Sequence, residues 1–211
     1  MKGEKMKETI FDTEAKIKQG QEDLAIEFSN RMKYRLQVIN PDIFKTFFGK
    51  AISFNYQELG GRHNGPAVYL SKAVAERIKK DQEGVENPPR PNFRNTRQEH
   101  VVPKLRYVRN YFYKSYIAIH NDEMKNIFTA DYFKAFFKNV CVICFVTLEE
   151  NEKFSEKGLT NNFPNGIILD FDHPEKIKKS EVWSRYKEAG IDVVKPLWEG
   201  NKLVKYDPFK F

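Results

Sequence analysis

The chain of 211 residues has little of several things, and each shortage excludes a class of protein. Two cysteines, Cys141 and Cys144, cannot make the disulfide framework of a small secreted scaffold. Their C-x-x-C spacing lacks the second pair of a tetrahedral zinc site, and on a strand the two thiols face opposite sides. No apolar run approaches the roughly 18 residues that a membrane-spanning helix needs. The opening stretch, MKGEKMKETIFDTEAK, is charged and carries no apolar core of a secretory leader, so a cytoplasmic protein is expected. Gly60–Pro66, GGRHNGP, has neither the lysine nor the spacing of a phosphate loop, and a histidine in such a loop, His63, is no signal by itself. No serine sits in a nucleophile elbow, and no organic cofactor is indicated.

What the chain has is aromatic surface and positive charge. Eighteen Phe and ten Tyr can bury enough area to offset chain entropy, so a folded core is expected despite 40% apolar content. The formal charge is +7 and the pI about 9.2, which favours an acidic partner such as nucleic acid. Abundant Lys, Phe, Asn and Ile is the usage of an AT-rich genome, a group that includes many phages and mobile elements.

Local patterns predict the elements. Leu24, Phe28, Met32 and Leu36 recur at helical spacing, giving a helix over 12–36. Pro41 opens a short helix over 41–49, residues 51–56 suit a strand, and 58–66 form a loop. A helix is expected over 67–82, ended near Gly84, then a proline-rich linker over 83–95. Residues 104–120 fit strand or helix. Thr129 caps a helix over 129–140. The apolar, β-branched run 140–148 reads as a buried central strand and GIILDF (166–171) as another. A helix over 179–190 closes on Gly190, and 191–206 reads as strand, turn at 199–201, strand. The expected fold is α+β (or α/β): one compact domain over 1–211, with a mostly helical part at 1–86 and a mixed sheet flanked by helices in 87–211.

Two stretches carry candidate chemistry. In NGIILDFDHPEK (165–176) a strand would put Asp170 and Asp172 on one face, about 7 Å apart at Cα, where they could share Mg²⁺ or Mn²⁺. His173 would add a ligand or a catalytic base. The apolar run followed by Asp-x-Asp resembles the first metal-binding motif of archaeo-eukaryotic-type primases and of some plasmid replication proteins. Those families also use a downstream histidine motif, and no histidine follows His173 here. The alternative is structural: Asp172 and Glu175 have capping-box spacing, with Pro174 in the first turn of a helix.

The second stretch, residues 90–114, holds seven Lys or Arg against one Glu, a net +6. Arg90, Arg94, Arg97, Lys104, Arg106, Arg109 and Lys114 would neutralise phosphates. Phe93, Tyr107 and Tyr111, with Phe112 and Tyr113, would stack on unpaired bases, favouring single-stranded DNA or RNA. Within it, Glu99-His100-Val-Val-Pro resembles the opening of HNH nucleases, which implies a metal ligand at Glu99 and a water-activating base at His100. That family's later Asn and His parts find only loose matches in Asn110, His120 and Asn121. Arg94 and His100 also resemble the ribonuclease motif of HEPN domains, which lies in a helix; Pro88, Pro89, Pro91 and Pro103 argue against one here. The expected function is nucleic-acid binding, with metal-dependent nuclease or nucleotidyl-transfer chemistry if the protein is an enzyme. The rival is a non-catalytic accessory or inhibitor factor of a phage or mobile element that binds a protein partner.

Overall fold

The structure is a computed structural model that describes residues 22, 23, 25–30, 32, 69–89 and 91–210, the side chains of residues 104, 105 and 165 apart. The expected elements over 41–49, 51–56 and 58–66, with His63, and the candidate Arg90 lie outside the described residues. So do Leu24 and Leu36 of the first helix, whose described residues are helical and bury Phe28 and Met32.

The architecture is α+β, a mixed five-stranded sheet flanked by helices. In chain order β1 (Tyr69–Ser71) leads into α1 (Lys72–Asp81), and β2 (Thr96–His100) follows the proline-rich loop. A π-helical turn over Lys104–Val108 runs into α2 (Arg109–His120), followed by α3 (Ala130–Asn139), β3 (Ile143–Thr147) and α4 (Leu148–Glu156). Then come α5 (Lys179–Val182), α6 (Ser184–Ala189), β4 (Val193–Glu199) and β5 (Lys202–Pro208). The strand order is β2-β3-β1-β4-β5; β1 and β3 are parallel and the other neighbours antiparallel.

Register sorts the side chains. Glu99, Cys144 and Tyr69 lie abreast on one face, and Gln98, Phe145, Leu70 and Val194 on the other. Trp183 meets Tyr69 at 4.9 Å between ring centres, and Tyr186 sits by Cys144, so α5 and α6 cover the first face. The Lys79 ammonium lies 5.6 Å over Tyr206, which pairs with Pro196 on the second face, and so α1 covers that one. Beside the sheet, Phe28, Phe112, Phe128, Tyr132, Phe133 and Phe136 interlock into an aromatic core, with Phe28 5.4 Å from Phe133 and Phe112 5.1 Å from Phe136. Rings at these separations gain pairwise attraction beyond the area they bury.

Several expectations hold. Thr129 accepts from the Tyr132 amide at 3.2 Å and caps α3. Strand β3 is buried and paired on both sides, Gly190 ends α6 in a left-handed turn at φ 66°, and β4 and β5 are joined at Gly200-Asn201. Three readings need correction, and one open alternative is resolved. Residues 69–71 are strand, not the first turn of a helix; Ser71 is the cap of α1. The ambiguous 104–120 segment is helical. The 179–190 helix is broken at Trp183, which separates α5 from α6. No strand forms over 166–171: Pro164–Gly166 is a 3-10 turn, and the run beyond it pairs with no neighbour.

Candidate functional site: a basic edge and a tyrosine-held turn

The polar strand β2 forms one edge of the described sheet. A tight turn leads into it: Asn92 Oδ1 accepts from the Arg94 amide at 2.9 Å, Asn95 adopts φ 61°, and Thr96 Oγ1 donates to the Phe93 carbonyl at 2.6 Å. Asparagine tolerates the left-handed conformation better than most residues, which fits it to that position. Arg94 is thereby at an exposed tip and Arg97 on the strand; Arg106 and Lys114, on the helical segment that follows, are also exposed. Arg109 is half-buried, and the side chain of Lys104 lies outside the described residues.

The far end of β2 is fastened by a residue that no sequence pattern marked. Arg185 is 1% exposed. Its Nε donates to the Leu159 carbonyl at 2.7 Å and its Nη2 to Thr160 at 3.0 Å. Its Nη1 donates to the carbonyls of His100 at 3.2 Å and Val101 at 3.1 Å. The guanidinium also lies 4.9 Å over the Phe154 ring. One buried cation thus ties β2 and the 159–160 loop to α6. Burial pushes its pKa down, while Tyr186 and Glu99 nearby favour the charged form.

Glu99 belongs to this cluster. Burial raises its carboxyl pKa, a shift moderated by Arg185 and Arg97. Cys144, abreast of it, has its thiol pushed well up by burial and then by Glu150, so it stays a neutral thiol rather than a nucleophile. Tyr186 is raised in the same way, by burial first. Adjacent strand residues face opposite sides, so Glu99 and His100 lie on opposite faces of the sheet. Arg94 and His100 sit in a turn and a strand, not in the helix of the HEPN motif. Neither Cys141 nor Cys144 is in a disulfide.

The aspartates lie in an irregular turn. Leu169 and Phe171 are buried while Asp170, Asp172 and His173 are exposed, so the alternation expected of a strand survives without its ladder. The Asp172 amide donates to Asp170 Oδ1 at 3.2 Å, and the Tyr111 hydroxyl donates to Asp172 Oδ1 at 2.7 Å. Below them the Tyr132 hydroxyl donates to the Phe171 carbonyl at 2.9 Å, and Asn139 Nδ2 to the Pro174 carbonyl at 2.9 Å. Burial and the Asp172 carboxylate raise the Tyr111 pKa; burial and Tyr111 raise that of Tyr132. Both phenols therefore remain donors. His173 Nδ1 lies 3.6 Å from Glu175. The expected capping box at Asp172 is absent; a helix starts later, where the Lys178 amide donates to Glu181 at 2.9 Å.

One oxygen of each aspartate is thus engaged inside the turn, and among the described residues no three His, Cys, Asp or Glu side chains gather as a metal-binding group. A Mg²⁺ or Mn²⁺ ion here would share the Asp172 carboxylate with the Tyr111 hydroxyl.

Four of the five aromatic residues of the basic stretch pack against the core, and Tyr113 is half-buried. Phe93 packs on Phe145 at 4.6 Å, Tyr107 on Phe163 at 5.0 Å, and Tyr111 on Phe171 at 5.3 Å; Phe112 is wholly buried. The Tyr107 hydroxyl also accepts from the Phe163 amide at 3.3 Å. Each of these packed rings thus has one face or edge taken up by the fold, while Phe93, Tyr107 and Tyr111 are half-buried.

No protein-family model matches the chain, and no curated protein or solved structure matches it either. Among the described residues no helix is long and apolar enough to cross a membrane.

Proposed function

We propose that this protein binds nucleic acid by its sugar–phosphate backbone, through the cations of residues 90–114, and that base stacking contributes little. What supports the reading is one sorting of side chains. Arg94, Arg97, Arg106 and Lys114 are exposed, while Glu99, the stretch's one carboxylate, is half-buried and its pKa raised by burial. The outward face of the stretch is thereby left cationic. Each cation set against a phosphate releases a condensed counterion, so affinity should fall linearly with salt on a log–log scale. Contacts of this kind carry no sequence information. Single and double strands should then differ by charge density and not by ring stacking.

The test is fluorescence anisotropy with labelled single- and double-stranded DNA and RNA over a salt series. The triple variant Arg94→Ala, Arg97→Ala, Arg106→Ala should reduce the salt slope by about 3, roughly one per phosphate contact, and weaken binding to all sequences alike. Binding absent at low salt, or unchanged in the triple variant, would remove the proposal. The same samples are incubated with Mn²⁺ or EDTA and run on a gel. Metal-dependent cleavage lost in Asp170→Ala would replace binding with catalysis as the protein's business.

A further inference from the structure

We infer that the groove between the end of α1 and the start of β5 is a second anion site, built for a phosphate-bearing ligand. It is a cleft of about 520 Å³, within the range of small-molecule sites. Lys79 and Lys80 enter it from the last turn of α1, and Lys202 from β5. All three are exposed, and among the described residues none has a carboxylate within salt-bridge reach. Of the two carboxylates that line the groove, Glu76 is paired with Lys72 at 3.8 Å, which leaves Glu83. Lysines near a helix C-terminus are favoured by its carbonyl dipoles, which accounts for Lys79 and Lys80. Lys202 arrives from another element, and that force does not account for it.

The walls are fixed to one another. Gln82 is buried, and its amide clamps the hairpin: Nε2 donates to the Asn201 carbonyl at 2.7 Å, and Oε1 accepts from the Leu203 amide at 2.9 Å. The clamp holds the start of β5 against the end of α1, so Lys202 lines the same groove as Lys79 and Lys80 without a ligand to gather them. Tyr206 lines the groove, its ring beneath the Lys79 ammonium. Three compact cations around a rigid cleft suit adjacent phosphates, because lysine binds phosphate as a point charge and needs no fixed fork geometry. The phosphates can belong to a free phosphorylated molecule or to a polynucleotide backbone. The groove lies outside the basic stretch, and its case does not rest on the proposed function.

The experiment is an amide-resolved NMR titration of the full chain with pyrophosphate, ATP and a short oligonucleotide in separate arms. Saturable shifts centred on Leu203, Val204 and Tyr206 are expected for at least one of them. The double variant Lys79→Ala, Lys202→Ala should weaken that binding about tenfold, while Lys125→Ala, outside the groove, should not. Restoring charge with Lys79→Arg, Lys202→Arg should recover most of the affinity. Shifts with pyrophosphate or ATP assign the site to a free phosphorylated ligand; shifts with the oligonucleotide alone assign it to the polymer. No saturable shift at these amides up to about 10 mM of any probe, far above ordinary ligand affinities, overturns the inference. So do shifts that persist unchanged in the double alanine variant.

Discussion

Arg185 and Phe133 are both fully buried, yet their neighbourhoods are built of opposite materials. Around Arg185 a guanidinium, a carboxyl, a thiol and a phenol share one side of the sheet, and four backbone carbonyls accept from the one cation. Around Phe133 the interior is rings, and Asp170 and Asp172 stay at the margin, where the Tyr111 hydroxyl donates to Asp172 and the Tyr132 hydroxyl to the Phe171 carbonyl between them. The first region takes residue types familiar from active sites and spends their bonding capacity on the fold. The second keeps such residues exposed but ties them through tyrosines. A histidine or glutamate in a suggestive motif therefore carries functional weight only after its bonds have been counted.

The comparison breaks most visibly at Arg185. Replacing it by methionine keeps much of the volume but leaves the carbonyls of Leu159, Thr160, His100 and Val101 without their donors. The expected loss is about 3–5 kcal/mol, as for breaking a buried charged network at one partner. Urea unfolding followed by circular dichroism reads this as a lower midpoint at unchanged slope, or as no cooperative transition at all. A loss below about 1 kcal/mol, the scale of a surface ion pair, would mean that water replaces the guanidinium and that the region is not a closed polar core.

The aromatic region should answer more mildly to loss of a polar group. Tyr132→Phe keeps the ring among Phe112, Phe128 and Phe136 and removes the hydroxyl that donates to the Phe171 carbonyl. About 1–2 kcal/mol should be lost, one buried hydrogen bond with its acceptor left behind. Hydrogen exchange should also quicken at His173 and Lys176, whose amides donate to the Asp170 and His173 carbonyls. Equal effects of this variant and of Arg185→Met would erase the distinction between the regions.

How much of this was legible depended on whether a signal lay in the chain or in its partners. Val140–Leu148 announced β3 because a strand paired on both sides must be apolar on both faces. Thr129 and Gly190 announced helix ends because caps are local chemistry. Thr96–His100 gave no signal: an edge strand reading TRQEH shows no apolar alternation, and only its register with β3 makes it a strand. GIILDF misled for the reverse reason. Its alternation is real, with Leu169 buried beside Ile168 at 87% exposure, but among the described residues no strand pairs with it. Nothing in the helix expected over 179–190 marked Arg185, since four carbonyls on segments distant in sequence have no footprint in local sequence. The cationic character of 90–114 was plain from composition; the inward turn of its aromatics depended on Phe145, Phe163 and Phe171, far along the chain.

The smallest effect gives the sharpest reading of the polar region, because it tests which force governs Glu99. Its pKa is raised by burial, and the attraction of Arg185 and Arg97 only moderates the rise. The folded state therefore holds a proton on Glu99 at pH values where the unfolded chain has released it. Stability must then fall as pH rises from the ordinary carboxyl value of 4.5 through the higher folded one, and level off beyond it. Glu99→Gln removes the titration while keeping the shape. Its urea midpoint, compared with that of the parent between about pH 4 and pH 7, should fall less steeply as pH rises, and the variant should be the more stable of the two near neutrality. A variant less stable at neutral pH, with the parent gaining stability as Glu99 ionises, would put the ion pair with Arg185 ahead of desolvation. The cluster would then be an internal salt bridge in which Arg185 depends on the carboxylate, and not a buried cation satisfied by backbone carbonyls alone.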